Sequence, residues 1–306
     1  MTTALSKVNA GKQIGILIAA LIGFALAGVA VYNNLSAEGH AAYNSSNLGL
    51  FWTFPIVVYD YFLLTSTGLT MVATLAIILG GEDFRPIIRR AMWLALAGLA
   101  GGVAVLMLEL GHPLRAFATI PTSFAFTSPL YWKVICIVLY VLSLLALLAR
   151  TMQAGWSLAA VRGNAILSLV LALAVTAIAG VVYGSQSFRP FWASGDIPVG
   201  FIFESLLGGM AFIYFFSYLA YVFKASDMPQ GLRQLFNDRL PALFALVIFI
   251  QVLFVLARLT NGLYGNAEGL QVWQQLAASP LFIAEVVLGL LLPLFLLLNG
   301  GTRTQA

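Results

Sequence analysis

Eight long apolar runs divide this sequence of 306 residues, and they constrain its fold more than any other feature. Each run is close to the length of about 20 residues that an α-helix needs to cross the hydrocarbon core of a bilayer. Strands of a membrane barrel would be about ten residues long and would alternate polar with apolar residues, which these runs do not do. We therefore predict an all-α integral membrane protein with eight transmembrane helices. We call them spans one to eight and expect them at residues 14–32, 54–79, 88–110, 130–148, 165–183, 197–223, 240–259 and 281–298.

Charged residues are scarce and unevenly placed. Only 8% of the residues are charged and 61% are hydrophobic, which excludes a water-soluble globule. Basic residues collect in the cytoplasmic loops of membrane proteins. If the N-terminus is cytoplasmic, eleven of the fifteen lysines and arginines lie on the cytoplasmic side, and the other four are Arg115, Lys133, Arg189 and Arg258. Both termini are therefore expected in the cytoplasm, and the basic balance reflects topology rather than nucleic-acid binding.

Four acidic residues lie within the spans or at their edges: Asp60, Glu109, Glu204 and Glu285. A carboxylate at the centre of a membrane helix costs about 2.5–3.5 kcal/mol even on the mildest insertion scale, so each is a candidate for function. Counted along the helices, all four fall in the outer half of the membrane.

Structural roles are open to several of these residues. Glu109 can reach interfacial water, Glu285 can pair with Arg258, and the basic residues Arg115, Lys133 and Arg189 can anchor at lipid headgroups. Their concentration at one membrane face, beside all the buried acids, favours a functional site there.

Histidine and cysteine are nearly absent from the chain. Its two histidines, His40 and His112, lie in or beside outer loops, so facing helices carry no histidine pair for a b-type haem. Cys136 is the single cysteine, which excludes an iron–sulfur cluster held by this chain alone. The sequence also lacks the motifs of P-loop ATPases, serine hydrolases and zinc proteases. We expect no haem, no iron–sulfur cluster and no metal site in this chain.

Two pairs of similar helix starts suggest an internal repeat. The sequence SPLY (128–131) opens span four and SPLF (279–282) opens span eight, while Pro55 and Pro198 open spans two and six. Duplication predicts two four-helix bundles in parallel orientation, with a site at their interface. Small residues that would let helices approach closely there are Gly98, Gly101, Gly102, Gly208 and Gly209.

Three motifs at successive outer helix ends carry a family resemblance. They are LELGHPLRAF (108–117), TSPLYW (127–132) and FRPFW (188–192), the last followed by Pro198 and Phe201. In this order and placement the chain resembles the NrfD/polysulfide-reductase membrane-subunit family from about Phe51 to Leu298. We accordingly divide the chain into residues 1–51 (N-terminus, first span and outer loop), 52–298 (the NrfD-like domain) and 299–306 (a cytoplasmic tail).

The resemblance implies a quinone-binding membrane anchor in a bacterial inner membrane. Such a subunit carries no cofactor of its own and docks an iron–sulfur, ferredoxin-like subunit, which relays electrons to or from a molybdopterin catalytic subunit. The quinone or menaquinone is a substrate drawn from the membrane pool. A sulfur-compound couple such as polysulfide, thiosulfate, tetrathionate or sulfite is the expected terminal chemistry.

The resemblance and the chemistry of quinones together select the site residues. Oxidation of a quinol releases two protons, so the site needs proton acceptors within an aromatic slot. Family members often carry a tyrosine at the position of Ile178, and Tyr183 is expected to replace it here. We expect catalytic roles for Asp60, Glu109 and His112, a side chain that titrates near neutral pH. The predicted quinone-binding residues are Tyr59, Tyr61, Arg115, Trp132, Tyr183, Arg189 and Glu204, and a possible proton path comprises Gln251, Arg258 and Glu285.

A proton-coupled secondary transporter is the alternative function. Eight spans with an internal repeat also suit a transporter, in which Asp60, Glu204 and Glu285 would couple protons to a solute. Transporters commonly break helices near the midplane, whereas the prolines here open helices and the acids lie nearer the outer face. These features favour the quinone-binding anchor.

Overall fold

The computed structural model describes residues 10–43, 53–110, 115, 122–186, 194–265 and 267–299. Within these ranges the chain is helical and contains no strand. We number ten helices: α1 Ala10–Glu38, α2 Phe54–Ile78, α3 Arg85–Glu109, α4 Pro129–Met152, α5 Leu158–Gly184, α6 Ile197–Ala220, α7 Gln230–Asn237, α8 Arg239–Tyr264, α9 Ala267–Ala277 and α10 Pro280–Leu298.

The predicted all-α membrane fold is confirmed. Eight helical stretches in the described residues are long and apolar enough to cross a membrane: α1 to α6, the combined stretch Gln230–Tyr264 and α10. Span six ends earlier than predicted, at Ala220 instead of Phe223. Val222 and Phe223 have φ angles of 53° and 57°, which a right-handed helix cannot contain. Hydropathy does not register this reversal because both residues are apolar.

Helices α2 to α5 form a four-helix ring around the best-packed part of the core. Helix α2 packs against α3 and α5, and α4 completes the ring by contacting both of them. In α2, 72% of the most apolar window is buried, more than in any other spanning helix described. Fully buried side chains from three of these helices, among them Leu63, Met92 and Leu144, fill the interior.

Helices α6, α8 and α10 form a second group beside the ring. Helix α6 packs against α2 and α5 on one side and against α8 on the other, and α8 also contacts α10. The first group therefore comprises spans two to five, and the described helices α6, α8 and α10 of the second group belong to spans six to eight. Pro55 and Pro198 mark equivalent positions, since each opens the first helix of its group.

Glycines bring α2 and α6 into backbone contact. A Cβ atom added to Gly68 would lie 1.6 Å from the carbonyl oxygen of Ser205, and one added to Gly209 would lie 2.5 Å from the backbone of Gly68. The predicted close approach at Gly208 and Gly209 between the two halves is confirmed. Gly102 instead faces Tyr59 of α2 inside the first bundle, where its added Cβ would lie 3.1 Å from the carbonyl oxygen.

The interior of the ring holds hydroxyl groups in hydrogen-bonded sets. The Tyr140 hydroxyl lies 2.9 Å from Ser66 Oγ and 2.7 Å from Thr70 Oγ1. On the other side of α2, Thr176 donates to Thr67 Oγ1 at 2.8 Å. Because these buried hydroxyls have partners, α2 can be polar and still occupy the core.

Helix α1 stands apart from this packing. Its most apolar window contains no buried residue, and Gln13 Nε2 donates to the carbonyl oxygen of Ala220 at 2.7 Å. The core is therefore built from the helices that follow α1.

Candidate functional site

The carboxylate of Asp60 joins three helices of the ring. Lys133 Nζ of α4 lies 2.5 Å from Asp60 Oδ1, and the Tyr183 hydroxyl of α5 donates to Asp60 Oδ2 at 2.5 Å. Asp60 is 6% exposed and Lys133 is 3% exposed. Both carboxylate oxygens are thus bonded inside the protein, which offsets the cost of burying the charge.

Chain direction explains why these residues meet. Helices α2 and α4 begin, and α3 and α5 end, at the same end of the ring, which we call the Asp60 end. Asp60 lies about 9 Å along α2 from its first residue and Lys133 about 6 Å along α4, at a rise of 1.5 Å per residue. Prolines in the first turn of α2 and α4 fix both helix starts, so one to two turns separate the charged pair from the helix ends.

Two more predicted residues border this pair. The Tyr59 ring lies beneath the Lys133 ammonium group, with its centroid 4.9 Å from Nζ. Glu109, the last residue of α3, is 8% exposed, and its Oε1 accepts from the backbone N–H of Thr53 at 3.2 Å. Glu109 also lies close enough to Tyr183 to interact with it electrostatically. We call Tyr59, Asp60, Glu109, Lys133 and Tyr183 the Asp60 cluster.

Lys133 is the member of the cluster that sequence analysis missed. The alternative role as a headgroup anchor is excluded for Lys133, because its side chain is buried and ion-paired. The available signal was depth, since Lys133 lies a full turn inside α4, at nearly the same level as Asp60 in α2. A lysine inside a span at the level of a buried acid is a candidate partner for that acid.

Other predicted residues lie away from the cluster. The Tyr61 side chain is 53% exposed and contacts the rings of Phe62 and Phe212. Trp132 is 43% exposed, and its Nε1 donates to the carbonyl oxygen of Phe126 at 2.8 Å.

Three predicted residues lie in the segments that follow α3 and α5, the helices that finish at the Asp60 end: His112, Arg115 and Arg189. Arg115 is exposed. His112 and Arg189 lie outside the described residues.

A second polar site lies between α6, α8 and α10. A cavity of about 70 Å³ is lined by residues that include Asp196, Glu204, Gln251, Arg258 and Glu285. The structure therefore brings the predicted proton-path residues Gln251, Arg258 and Glu285 together, and it places Glu204 with them rather than with Asp60. We call this space the Glu204 cavity.

Glu204 has a neutral hydrogen-bonding partner. Gln251 Nε2 donates to Glu204 Oε1 at 3.2 Å, and Gln251 is 8% exposed. Gln251 Oε1 is buried and has no hydrogen-bonding partner among the residues that the structure describes. The amide therefore holds Glu204 with one end and leaves an acceptor unused at the other.

Helix α10 widens beside this cavity. Residues Glu285–Leu291 form a π-helical segment between two α-helical ones. Pro293 has no N–H group for an α-helical bond to Gly289, and a wider turn avoids the clash between its ring and that carbonyl group. Glu285 begins the widened segment and lines the cavity.

Phe201 contacts both polar sites. Phe201 of α6 lines the Glu204 cavity, and its ring centroid lies 5.6 Å from that of Tyr183. The two sites are therefore neighbours that share a wall.

Comparison with known proteins identifies the family. The family model described as Polysulphide reductase, NrfD, matches residues 43–305. The chain belongs to the NrfD polysulphide reductase family. The match begins after α1, so the NrfD-matched region contains both helix groups and both polar sites.

A curated relative carries a more specific name. The chain is similar to a subunit of the selenate reductase of Mesobacillus selenatarsenatis, with 24% identity over 254 residues. The aligned region covers 70% of this chain and 57% of the relative. The chain thus spans little more than half of the length of that relative.

Proposed function

We propose that this NrfD-family chain is the quinone-reactive membrane anchor of a respiratory oxidoreductase, with the quinone head group bound at the Asp60 cluster. The observation that carries the proposal is the buried Asp60–Lys133 pair, one to two turns below the ring's end. Such a pair is an expensive feature of a membrane protein, and ionisable residues at membrane depth mark substrate and proton pathways by default.

The cluster contains the groups that quinone chemistry needs. A quinone presents two carbonyl oxygens that accept hydrogen bonds, and each takes up a proton on reduction. The Lys133 ammonium group has three donors, of which one is directed at Asp60, so the others are available to a carbonyl oxygen. The Tyr183 hydroxyl would become a second donor by turning from Asp60 Oδ2 to the quinone. Asp60 Oδ2 would then be free to accept a proton that a bound quinol releases.

Glu109 supplies the route from this site towards water. It ends α3 at the Asp60 end, beside Thr53 at the start of α2. A carboxylate at a helix terminus can receive a proton from a buried neighbour and pass it to an aqueous phase. In this proposal Asp60 is the first proton acceptor, and Glu109 is the second.

Aromatic rings of this end form the slot for the head group. Tyr59, Tyr183 and Phe201 lie next to the buried charges, and apolar walls with few polar contacts are typical of sites for small organic ligands. The more exposed Trp132 and Tyr61 would contact the isoprenoid tail or lipid rather than the head group.

We propose the same end of the ring as the docking face for the partner subunits. An iron–sulfur, ferredoxin-like subunit would exchange electrons with the bound quinone and would connect it to a molybdopterin catalytic subunit. Arg115, Arg189 and His112 would contact this partner or neutralise negative charge on the reduced head group. If both termini lie in the cytoplasm of a bacterial cell, the docking face is on the non-cytoplasmic side of the inner membrane.

The terminal substrate follows from the catalytic partner. The family description refers to polysulphide and the relative's name to selenate. We propose that the complex containing this chain acts on a redox couple formed by sulfur or selenium compounds.

Turnover with quinol tests the site. Asp60→Asn and Glu109→Gln should each abolish quinol-linked turnover of the purified complex, while the soluble subunits still react with an artificial dye. Glu38→Gln, which changes an exposed acid at the end of α1, is the matched control and should retain quinol turnover. Unchanged quinol turnover in both site variants would refute the assignment.

The partner face has its own test. Arg115→Gln and Arg189→Gln should reduce co-purification of the iron–sulfur subunit or slow quinol turnover. Transport of a solute by the isolated chain in liposomes, together with failure to bind a quinone analogue, would favour the transporter instead.

A further inference from the structure

The Glu204 cavity contains more polar groups than the packing of three helices requires. Three carboxyl groups line it, from Asp196, Glu204 and Glu285, against one guanidinium group, that of Arg258. Carboxylates in excess within an apolar helix group favour a ligand that brings positive charge or donates hydrogen bonds.

Gln251 provides an independent sign of such a ligand. Its Oε1 is a buried acceptor with no partner within the described residues, while its Nε2 is directed at Glu204. A buried amide acceptor without a partner costs about 1–3 kcal/mol, so its retention at a cavity wall points to a donor within the cavity. A water molecule can donate to Gln251 Oε1 and to Glu204 at once.

The cavity has the size and polarity that water needs. A water molecule needs about 10–15 Å³ of space open to its centre, and two to four polar partners. The cavity's volume of about 70 Å³ therefore accommodates a small cluster of water molecules among the polar side chains.

We propose that the Glu204 cavity is a hydrated proton-exchange site, separate from the Asp60 cluster, in which Glu204 gains and loses a proton. The proton passes from a hydronium ion in the cavity to the Glu204 carboxylate, leaving a neutral carboxyl group and a water molecule, and no electron moves. Gln251 holds the carboxyl group in place and orients the water. Arg258 and Glu285 also line the cavity and supply further polar groups to its water.

The wall at Phe201 gives this site its place in the molecule. Phe201 lines the cavity that holds Glu204 and packs against Tyr183, which bonds to Asp60. The Glu204 cavity therefore lies next to the Asp60 cluster, the proposed quinone site. The proposal does not depend on quinone binding, since it concerns only the cavity's own groups.

Infrared difference spectroscopy of the full chain in lipid nanodiscs tests the proposal without quinone. Acidification should produce a carbonyl-stretch band of a protonated carboxyl group that Glu204→Gln removes. In D₂O the band should shift to lower frequency within the dead time of the exchange, because a hydrated carboxyl group exchanges its proton promptly. Gln251→Leu should move the band to higher frequency, because the carboxyl group loses a donor.

Matched variants separate a local effect from a general one. Gln274→Leu changes an exposed glutamine on α9 outside the cavity and should leave the band unchanged. If Glu204→Gln fails to fold, Glu204→Asp should shift the band rather than remove it. Asp60→Asn should keep the band even when quinol turnover is lost, so failure of the quinone proposal remains distinguishable.

Three outcomes would overturn the proposal. The first is a spectrum without any Glu204-dependent band that changes with pH. The second is a band that exchanges with D₂O only after hours, which indicates a dry structural carboxyl group. The third is a band that sodium removes and choline does not, which indicates a site for a metal cation.

Discussion

The Asp60 cluster and the Glu204 cavity each hold a carboxyl group among apolar helices, but they give it different partners. Asp60 faces a lysine at 2.5 Å and a tyrosine hydroxyl, and both of its oxygens are bonded. Glu204 faces a neutral glutamine and a polar cavity.

The difference concerns which charge states the protein can tolerate. In a buried ion pair, neutralising one partner alone leaves the other as an uncompensated charge. A carboxyl group beside an amide and water is tolerated in both forms. At the Asp60 cluster a proton that Asp60 accepts is therefore expected to pass on to Glu109, whereas Glu204 can keep a proton by itself.

The largest effect is expected when the ion pair is broken. Lys133→Met should destabilise the protein by about 3–5 kcal/mol, because Asp60 remains as a buried charge without its cation. Thermal denaturation of the purified protein in detergent should show this as a large decrease in the midpoint temperature.

The double variant Asp60→Asn with Lys133→Met is the control for this prediction. It removes both charges and should recover most of the lost stability while remaining inactive with quinol. A double variant as unstable as the single one would show that the pair acts through packing rather than through charge.

Loss of the tyrosine hydroxyl should have the next largest effect. Tyr183→Phe removes a hydrogen bond to a charged group, a contribution of about 1.5–3 kcal/mol. Since Tyr183 is also a proposed donor to the quinone, KM for quinol should rise. Tyr61→Phe provides the matched control, and an equal change in that variant would argue against a special role for Tyr183.

The contact between α2 and α6 should matter to both sites. Gly68→Ala introduces a methyl group where only 1.6 Å is available, and overpacking of this kind costs about 1–3 kcal/mol. The midpoint temperature and quinol turnover should both fall. Gly101→Ala adds the same methyl group where nothing lies within 4 Å and should be neutral. Equal effects of the two substitutions would mean that helix propensity, not the close contact, dominates.

The smallest effect on stability is expected at Glu204. Glu204→Gln replaces one hydrogen-bonding group by another next to an amide and leaves no buried charge, so the change should stay below about 1 kcal/mol. A loss as large as that of Lys133→Met would show that Glu204 is held as a permanent charge, and the contrast between the two sites would disappear.

The spans could be predicted from sequence because hydrophobic length is a strong and local signal. The predicted boundaries at Phe54, Ile197 and Leu298 coincide with the observed helix ends, since proline or polar residues bound those runs. The end of span six could not be predicted, because the reversal at Val222 and Phe223 involves apolar residues.

The sequence predicted the depth of the site residues in the membrane, but not the side of the helix that each residue faces. Tyr59 and Tyr61 lie at nearly the same level, yet two residues correspond to about 200° of rotation at 3.6 residues per turn, so they face opposite ways. Tyr59 is buried against Lys133, and Tyr61 is on the outside. Only the packing of α2 against its neighbours decides which of the two faces Lys133.

Helix α6 belongs to both regions, and its glycine contact with α2 has a consequence for communication between them. The backbones of α2 and α6 are in direct contact at Gly68 and Gly209, so moving α6 against α2 would disrupt close packing between the two sites. Electrostatic interaction between the two sites needs no movement of the helix, because charges are poorly screened in a membrane interior. We therefore expect any cooperativity between the two sites to depend on their protonation states and to leave the helix positions unchanged.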